Sequence, residues 1–118
     1  MSKDELRIGV IGAGGRGGVT FCAHQPENGV RIVAACDIND GAFDWFKQNV
    51  GDDIFTCSDY RDILSRDDVD AVFICAPDHF HEDYGVAALE AGKHTFLEKP
   101  MAITIEGCDR LLETARRT

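Results

Sequence analysis

The apolar run Leu6-Arg7-Ile8-Gly9-Val10-Ile11 leads straight into a glycine cluster, Gly12-Ala13-Gly14-Gly15-Arg16-Gly17, with Gly18 behind it. An extended apolar segment that ends in glycines has to turn sharply, and the chain resumes as a short helical stretch through Phe21 to about His24. The glycines follow the spacing G-x-G-x-x-G. Asp37 stands twenty residues beyond Gly17, at the end of a second apolar run, Val30–Cys36. A chain with twelve glycines can produce that spacing by accident. After a strand, before a helix and with an acid at that distance, it marks a dinucleotide-binding strand–helix–strand unit; the alternative is a glycine-rich turn and a surface aspartate.

Each residue type in the fingerprint has a physical task. Gly12 permits the tight turn, Gly14 lets a pyrophosphate approach the backbone, and Gly17 lets the following helix pack close to the sheet. The amides of Gly14, Gly15 and Arg16 are expected to point at the phosphates, aided by the positive end of the helix. Asp37 is expected to accept hydrogen bonds from the adenosine ribose. Its charge repels a 2′-phosphate, and Ile38-Asn39-Asp40 offers no arginine to hold one. NAD is therefore expected, and NADP is disfavoured.

The rest of the chain continues the alternation. Asp40–Asn49 reads as a helix, Ile54–Cys57 as a short strand, and Ser58 or Asp59 as the cap of a brief helix through Leu64. Val69–Ala76 is the most apolar strand, stopped by Pro77. A helix from about His79 to Ala91 ends at Gly92, and His94–Leu97 is a fifth strand. Thr104 caps a last helix through Arg117, with acids near its start and arginines near its end. Five strand–helix units with continuously apolar strands predict an α/β fold, a doubly wound parallel sheet covered on both faces. Residues 1–118 read as one domain.

Composition narrows the partners. Twelve basic against twenty-one acidic residues give a formal charge of −9, which disfavours nucleic acid and anionic membrane as partners. The longest apolar stretches are far shorter than the roughly 20 residues a spanning helix needs. Met1–Glu5 does not resemble a signal peptide. The five cysteines are widely spaced, odd in number and without a C-x-x-C pair, so buried free thiols in a reducing cytoplasm are expected. His79 and His81 lack a third ligand nearby, so no metal site is expected. Trp45 and Tyr84 read as packing residues on helices; His24 and His94 carry no case for a site.

In an open parallel sheet, ligands bind beyond the carboxyl ends of the strands where strand order reverses. Ala76-Pro77-Asp78-His79-Phe80-His81 should therefore lie beside the glycine loop, with Glu98-Lys99-Pro100 one strand further along. These segments carry a resemblance. Asp70 to His81, Ala87-Ala88-Leu89-Glu90-Ala91-Gly92-Lys93-His94 and Glu98-Lys99-Pro100, behind a dinucleotide fingerprint, are similar to the Gfo/Idh/MocA oxidoreductases, the relatives of glucose–fructose oxidoreductase and inositol dehydrogenase. The resemblance covers essentially the whole chain.

It implies an NAD-dependent enzyme that moves a hydride between nicotinamide and a secondary alcohol of a sugar- or polyol-like substrate. It also implies that Ala76 and Pro77 line the nicotinamide-ribose side of the cofactor, with His81 opening the next helix against it and Glu98 contacting that ribose. Lys99 would orient the reacting hydroxyl and take part in its proton transfer, and the Lys99–Pro100 bond would be cis. Taken alone, Lys99 is an ordinary strand-end lysine. Family members carry a sixth strand and a substrate domain, so the chain is expected to be the first domain of a longer enzyme, inactive by itself and prone to associate, with a homo-oligomeric parent. Two other readings stay open: a non-catalytic dinucleotide-binding module, and a parent that uses NAD transiently in a non-redox sugar reaction.

Overall fold

Strands that read as unbroken apolar runs need cover on both faces, and the molecule supplies it. The computed structural model describes residues 5–118, with Gly15 and Arg16 described in the backbone only. Five parallel strands, β1 (Leu6–Ile11), β2 (Val30–Cys36), β3 (Phe55–Cys57), β4 (Ala71–Ile74) and β5 (His94–Leu97), form one sheet in the order β3-β2-β1-β4-β5. Four α-helices flank it: α1 (Ala42–Val50), α2 (Tyr60–Leu64), α3 (His81–Glu90) and α4 (Ile105–Arg117).

Two separate cores show how the sheet is sandwiched. On one face Ile8, Val10, Ile32 and Ala35 pack with Phe46 and Val50 of α1, and Phe46 is fully buried. On the other, Ile11, Ala34, Cys36, Val72 and Ile74 pack with Ile63 and Leu64 of α2 and Ala88 of α3. Burying a side chain of this size is worth about 1.5–3 kcal/mol. The β1–β2 register shifts from Ile8↔Ile32 to Gly9↔Ala34, so Val33 and Ala34 both meet the second core. Gly9 sits where an added Cβ would come within 2.7 Å of Ile63 Cγ2, which explains a glycine in the middle of a core strand.

The helix signals are realised locally. Asp59, rather than Ser58, caps α2 by accepting from Arg61 N at 3.0 Å, and Thr104 caps α4 by accepting from Gly107 N at 2.9 Å. Gly92 follows α3 with φ +77, the left-handed turn expected of it.

Several expectations are revised. The short helical stretch after the glycines, Gly15–Ala23, is wound as a 3-10 helix. Three glycines in its first four residues lower α-helical propensity, and Thr20 Oγ1 donates to Gly17 O at 2.7 Å. Strand β4 is shorter than the apolar run Val69–Ala76: Val69 and Asp70 precede it, and beyond Ile74 the Cys75 amide makes one last bond to Ile11 O before Cys75 and Ala76 are buried against Gly12. Edge strand β5 is covered on one side only: Phe96 is 54% exposed, touching Phe73 at 5.1 Å between ring centroids. Among the described residues no helix is long and apolar enough to cross a membrane.

Candidate dinucleotide-binding site

Strand order reverses between β1 and β4 of this all-parallel sheet, and their carboxyl ends open the crevice that the sequence locates there. Gly12 has φ +94, and a Cβ on it would lie 2.6 Å from Ala76 N, so glycine is required both by conformation and by space. A Cβ on Gly17 would meet Gly12 O at 2.5 Å. The turn is fastened to β2, since Gly12 N and Ala13 N both donate to Cys36 O, at 2.8 and 3.1 Å. On the β4 side Cys75 N donates to Ile11 O at 2.8 Å.

Asp37 follows directly on β2 and aims its carboxylate into the mouth of this turn. Its Oδ2 accepts from Gly14 N at 2.9 Å and its Oδ1 from Asn39 N at 2.8 Å. The Gly14 amide, expected to face phosphate, is therefore held by the acid. Gly14 is extended (φ −80, ψ 158), which turns its N–H toward the end of β2. Each Asp37 oxygen keeps acceptor capacity beyond its one backbone partner, so the carboxylate is oriented without being used up. The Arg16 side chain is not described.

The crevice runs from Gly12 and Asp37 across Ala76 and Pro77. Ser58, Phe80, Tyr84 and the 84% exposed Ile38 complete its wall. Sequence reasoning missed Phe80 and Ser58 as wall residues and took Tyr84 as packing alone. Tyr84 stacks on Phe80 (5.1 Å between centroids, 4° between planes) and also lies against Tyr60 at 4.1 Å. Desolvation raises the Tyr84 hydroxyl above its ordinary range, keeping it a neutral hydrogen-bonding group. The available signal was the i, i+4 aromatic pair directly after Ala76–Pro77.

A second cavity adjoins the first across Ala76 and is lined by Cys75, Asp78, His81, Glu98, Lys99 and Pro100. Glu98 is half-buried and its Oε1 accepts from Lys99 N at 2.9 Å, while Lys99 itself is exposed. The Lys99–Pro100 peptide is cis. His81 is 1% exposed; Nε2 lies 2.8 Å from Ala76 O and Nδ1 lies against Pro100 O. His79 is exposed beside the Phe80 ring. His24 is structural: Nδ1 accepts from Ile32 N at 3.0 Å, and burial lowers its basicity.

Beyond the glycine turn, the thiols of Cys36 and Cys57 sit side by side on paired strands as free cysteines. Burial, first, and the neighbouring Cys57 push the Cys36 thiol well above its usual range, so it is an unreactive packing group. Among the described residues no group of three or more His, Cys, Asp or Glu side chains converges on a point that could hold a metal ion.

A glycine cradle that rejects Cβ atoms, an oriented acid at the end of β2 and a crevice at the reversal point define a Rossmann-type dinucleotide-binding domain. The chain belongs to the Gfo/Idh/MocA oxidoreductase family, whose NAD-binding Rossmann-fold model matches residues 6–118. A glycosyl hydrolase family 109 protein of Shewanella baltica is 40% identical over 123 aligned residues, covering 98% of this chain and 27% of the relative. The chain thus spans about a quarter of the length of such curated relatives. Among solved structures, apo scyllo-inositol dehydrogenase from Lactobacillus casei superposes with a TM-score of 0.87 at 30% identity, over 99% of this chain and 35% of that one. A 3-ketoreductase from Actinomadura kijaniata, in complex with NADP and TDP-benzene, gives 0.83 at 30% identity over 96% of this chain and 34% of that one.

Proposed function

We propose that this chain is the cofactor-binding domain of an oxidoreductase acting on a secondary alcohol or carbonyl of a sugar- or polyol-like substrate, with NAD preferred to NADP. The observation that carries the cofactor reading is the Asp37 carboxylate, held by Gly14 N and Asn39 N at the edge of the crevice. It offers acceptors to ribose hydroxyls and charge repulsion to a 2′-phosphate. Gly12, Gly14, Gly15, Arg16 and Gly17 form the phosphate turn. Ala76, Pro77, His81 and Glu98 form the nicotinamide side.

Nicotinamide, when bound, supplies the hydride donor or acceptor. Lys99 would hold the reacting oxygen, its ammonium form giving a proton to that oxygen in carbonyl reduction and its neutral amine taking the hydroxyl proton in alcohol oxidation. The solved scyllo-inositol dehydrogenase with NAD(H) and scyllo-inositol bound, and the ketoreductase, support a polyol or sugar substrate. That no disulfide joins the five cysteines fits a reducing, cytoplasmic setting. A homo-oligomeric parent is part of the same proposal.

A second reading is favoured by the relatives named glycosyl hydrolase family 109. In it NAD is used transiently and the net reaction cleaves a glycoside. A substrate panel run with the full-length parent and NAD separates the two: polyol-dependent accumulation of reduced nicotinamide supports the dehydrogenase. Glycoside cleavage without net reduction supports the alternative, and turnover of neither substrate class overturns both.

A further inference from the structure

We infer that His81 is a positioning residue of the cofactor site, a doubly protonated imidazolium that ties the main chain after β4 to the main chain after β5. The inference rests on reading the two cavities as one cofactor site. His81 is the first residue of α3, and side chains at a helix start tilt back past its N-terminus. Here that direction carries the ring between the two strand ends, where it is almost wholly buried. The β4–β5 ladder passes through Glu98 N, which donates to Ile74 O at 3.1 Å. Two residues further along each segment the His81 ring forms the next link, with Nε2 2.8 Å from Ala76 O and Nδ1 against Pro100 O.

A carbonyl oxygen only accepts, so each ring nitrogen must donate. Neutral imidazole has one N–H and would set its bare lone pair against the other oxygen. Only the doubly protonated ring satisfies both contacts. A buried cation needs compensation. The two carbonyls supply part of it, and the Asp78 and Glu98 carboxylates line the same cavity. Lys99 opposes it from that lining, and the Cys75 thiol shares the cavity. Glu82, next on α3, is already paired with Arg110 of α4 at 3.0 Å. Because Ala76 also lines the first crevice, and Pro100 follows Lys99 directly, the ring fixes the nicotinamide side relative to the lysine.

The decisive measurement is a long-range proton–nitrogen correlation spectrum of the uniformly ¹⁵N-labelled chain at pH 7, with His81 assigned by its loss in His81→Gln. Two protonated ring nitrogens are expected; one protonated and one bare nitrogen would overturn the inference. Calorimetry with NAD adds a second test. His81→Phe keeps a ring but no donors and should weaken NAD about tenfold, with His81→Gln recovering part of the loss. Unchanged affinity in His81→Phe would refute the positioning role. Should His81→Phe not fold, the spectrum of the unsubstituted chain still decides. Failure of that chain to bind NAD would refute the cofactor reading, while the spectrum tests the clamp independently.

Discussion

The Gly14 amide donates to Asp37 Oδ2 at 2.9 Å, so the second glycine of the fingerprint is bonded to the acid at the end of β2. With Asn39 N on the other oxygen, the carboxylate is aimed before any ligand arrives. Preorganisation of this kind removes an ordering cost from binding. Removing the carboxylate releases the turn and, on the proposed cofactor reading, takes away the ribose acceptor. Asp37→Ala should weaken NAD by about 10–100-fold in calorimetry, the cost of lost hydrogen bonds to a charged group. Asp37→Ser combined with Ile38→Arg should shift preference toward NADP; an unshifted ratio would remove Asp37 from cofactor selection.

Gly17→Ala tests the cradle. Its Cβ would lie 2.5 Å from Gly12 O, a main-chain atom with little room to retreat. Overpacking of about 1–3 kcal/mol should lower Tm by about 5–15 °C and reduce NAD affinity as well. A variant with unchanged Tm would show that the turn does not need glycine there.

Lys93 belongs to the part of the motif that carried the resemblance, yet it acts at the opposite end of β5 from Lys99. Its Nζ donates to Arg66 O at 2.8 Å and to Val69 O at 2.7 Å, tying the loop before β4. Lys93→Met leaves both carbonyls without that donor and should cost about 1–3 kcal/mol in denaturant unfolding. NAD affinity, measured where the variant is folded, should stay within about twofold, since binding energy scales with contacts this residue does not make. A large loss of affinity would place Lys93 in the site.

His24 predicts the pH response of stability. Desolvation first, and Arg31 second, lower its basicity in the fold, and its Nδ1 is needed as an acceptor for Ile32 N. A histidine with a lowered folded value contributes stability that is full above its unfolded value, near 6.5, and is lost as pH falls toward and through the folded one. Tm should therefore decline on acidification below about pH 6.5, more steeply than in His24→Gln. Equal slopes would refute the assignment.

Most of the architecture was legible because β1, β2 and β4 are buried on both faces and so appear as continuous apolar runs. The same rule overextended β4, since Ala76 is buried against the Gly12 turn and Cys75 adds only one last amide bond to Ile11 O. Periodicity could not separate a 3-10 from an α-helix at Gly15–Ala23. It also could not tell whether Tyr84 faces the core or a crevice, because an apolar wall and a binding wall have the same pattern. The acid and the glycines were readable from spacing; the two partners of His81 were not, for Pro100 lies nineteen residues away and is brought near only by the β4–β5 pairing.

The central claim is that these residues bind a dinucleotide and that Asp37 selects NAD. Parallel calorimetric titrations of the chain with NAD and with NADP test it most directly. Measurable binding of NAD, with NADP at least about tenfold weaker, is the predicted result, a gap of about 1.4 kcal/mol. No binding of NAD, or tighter binding of NADP, would contradict it.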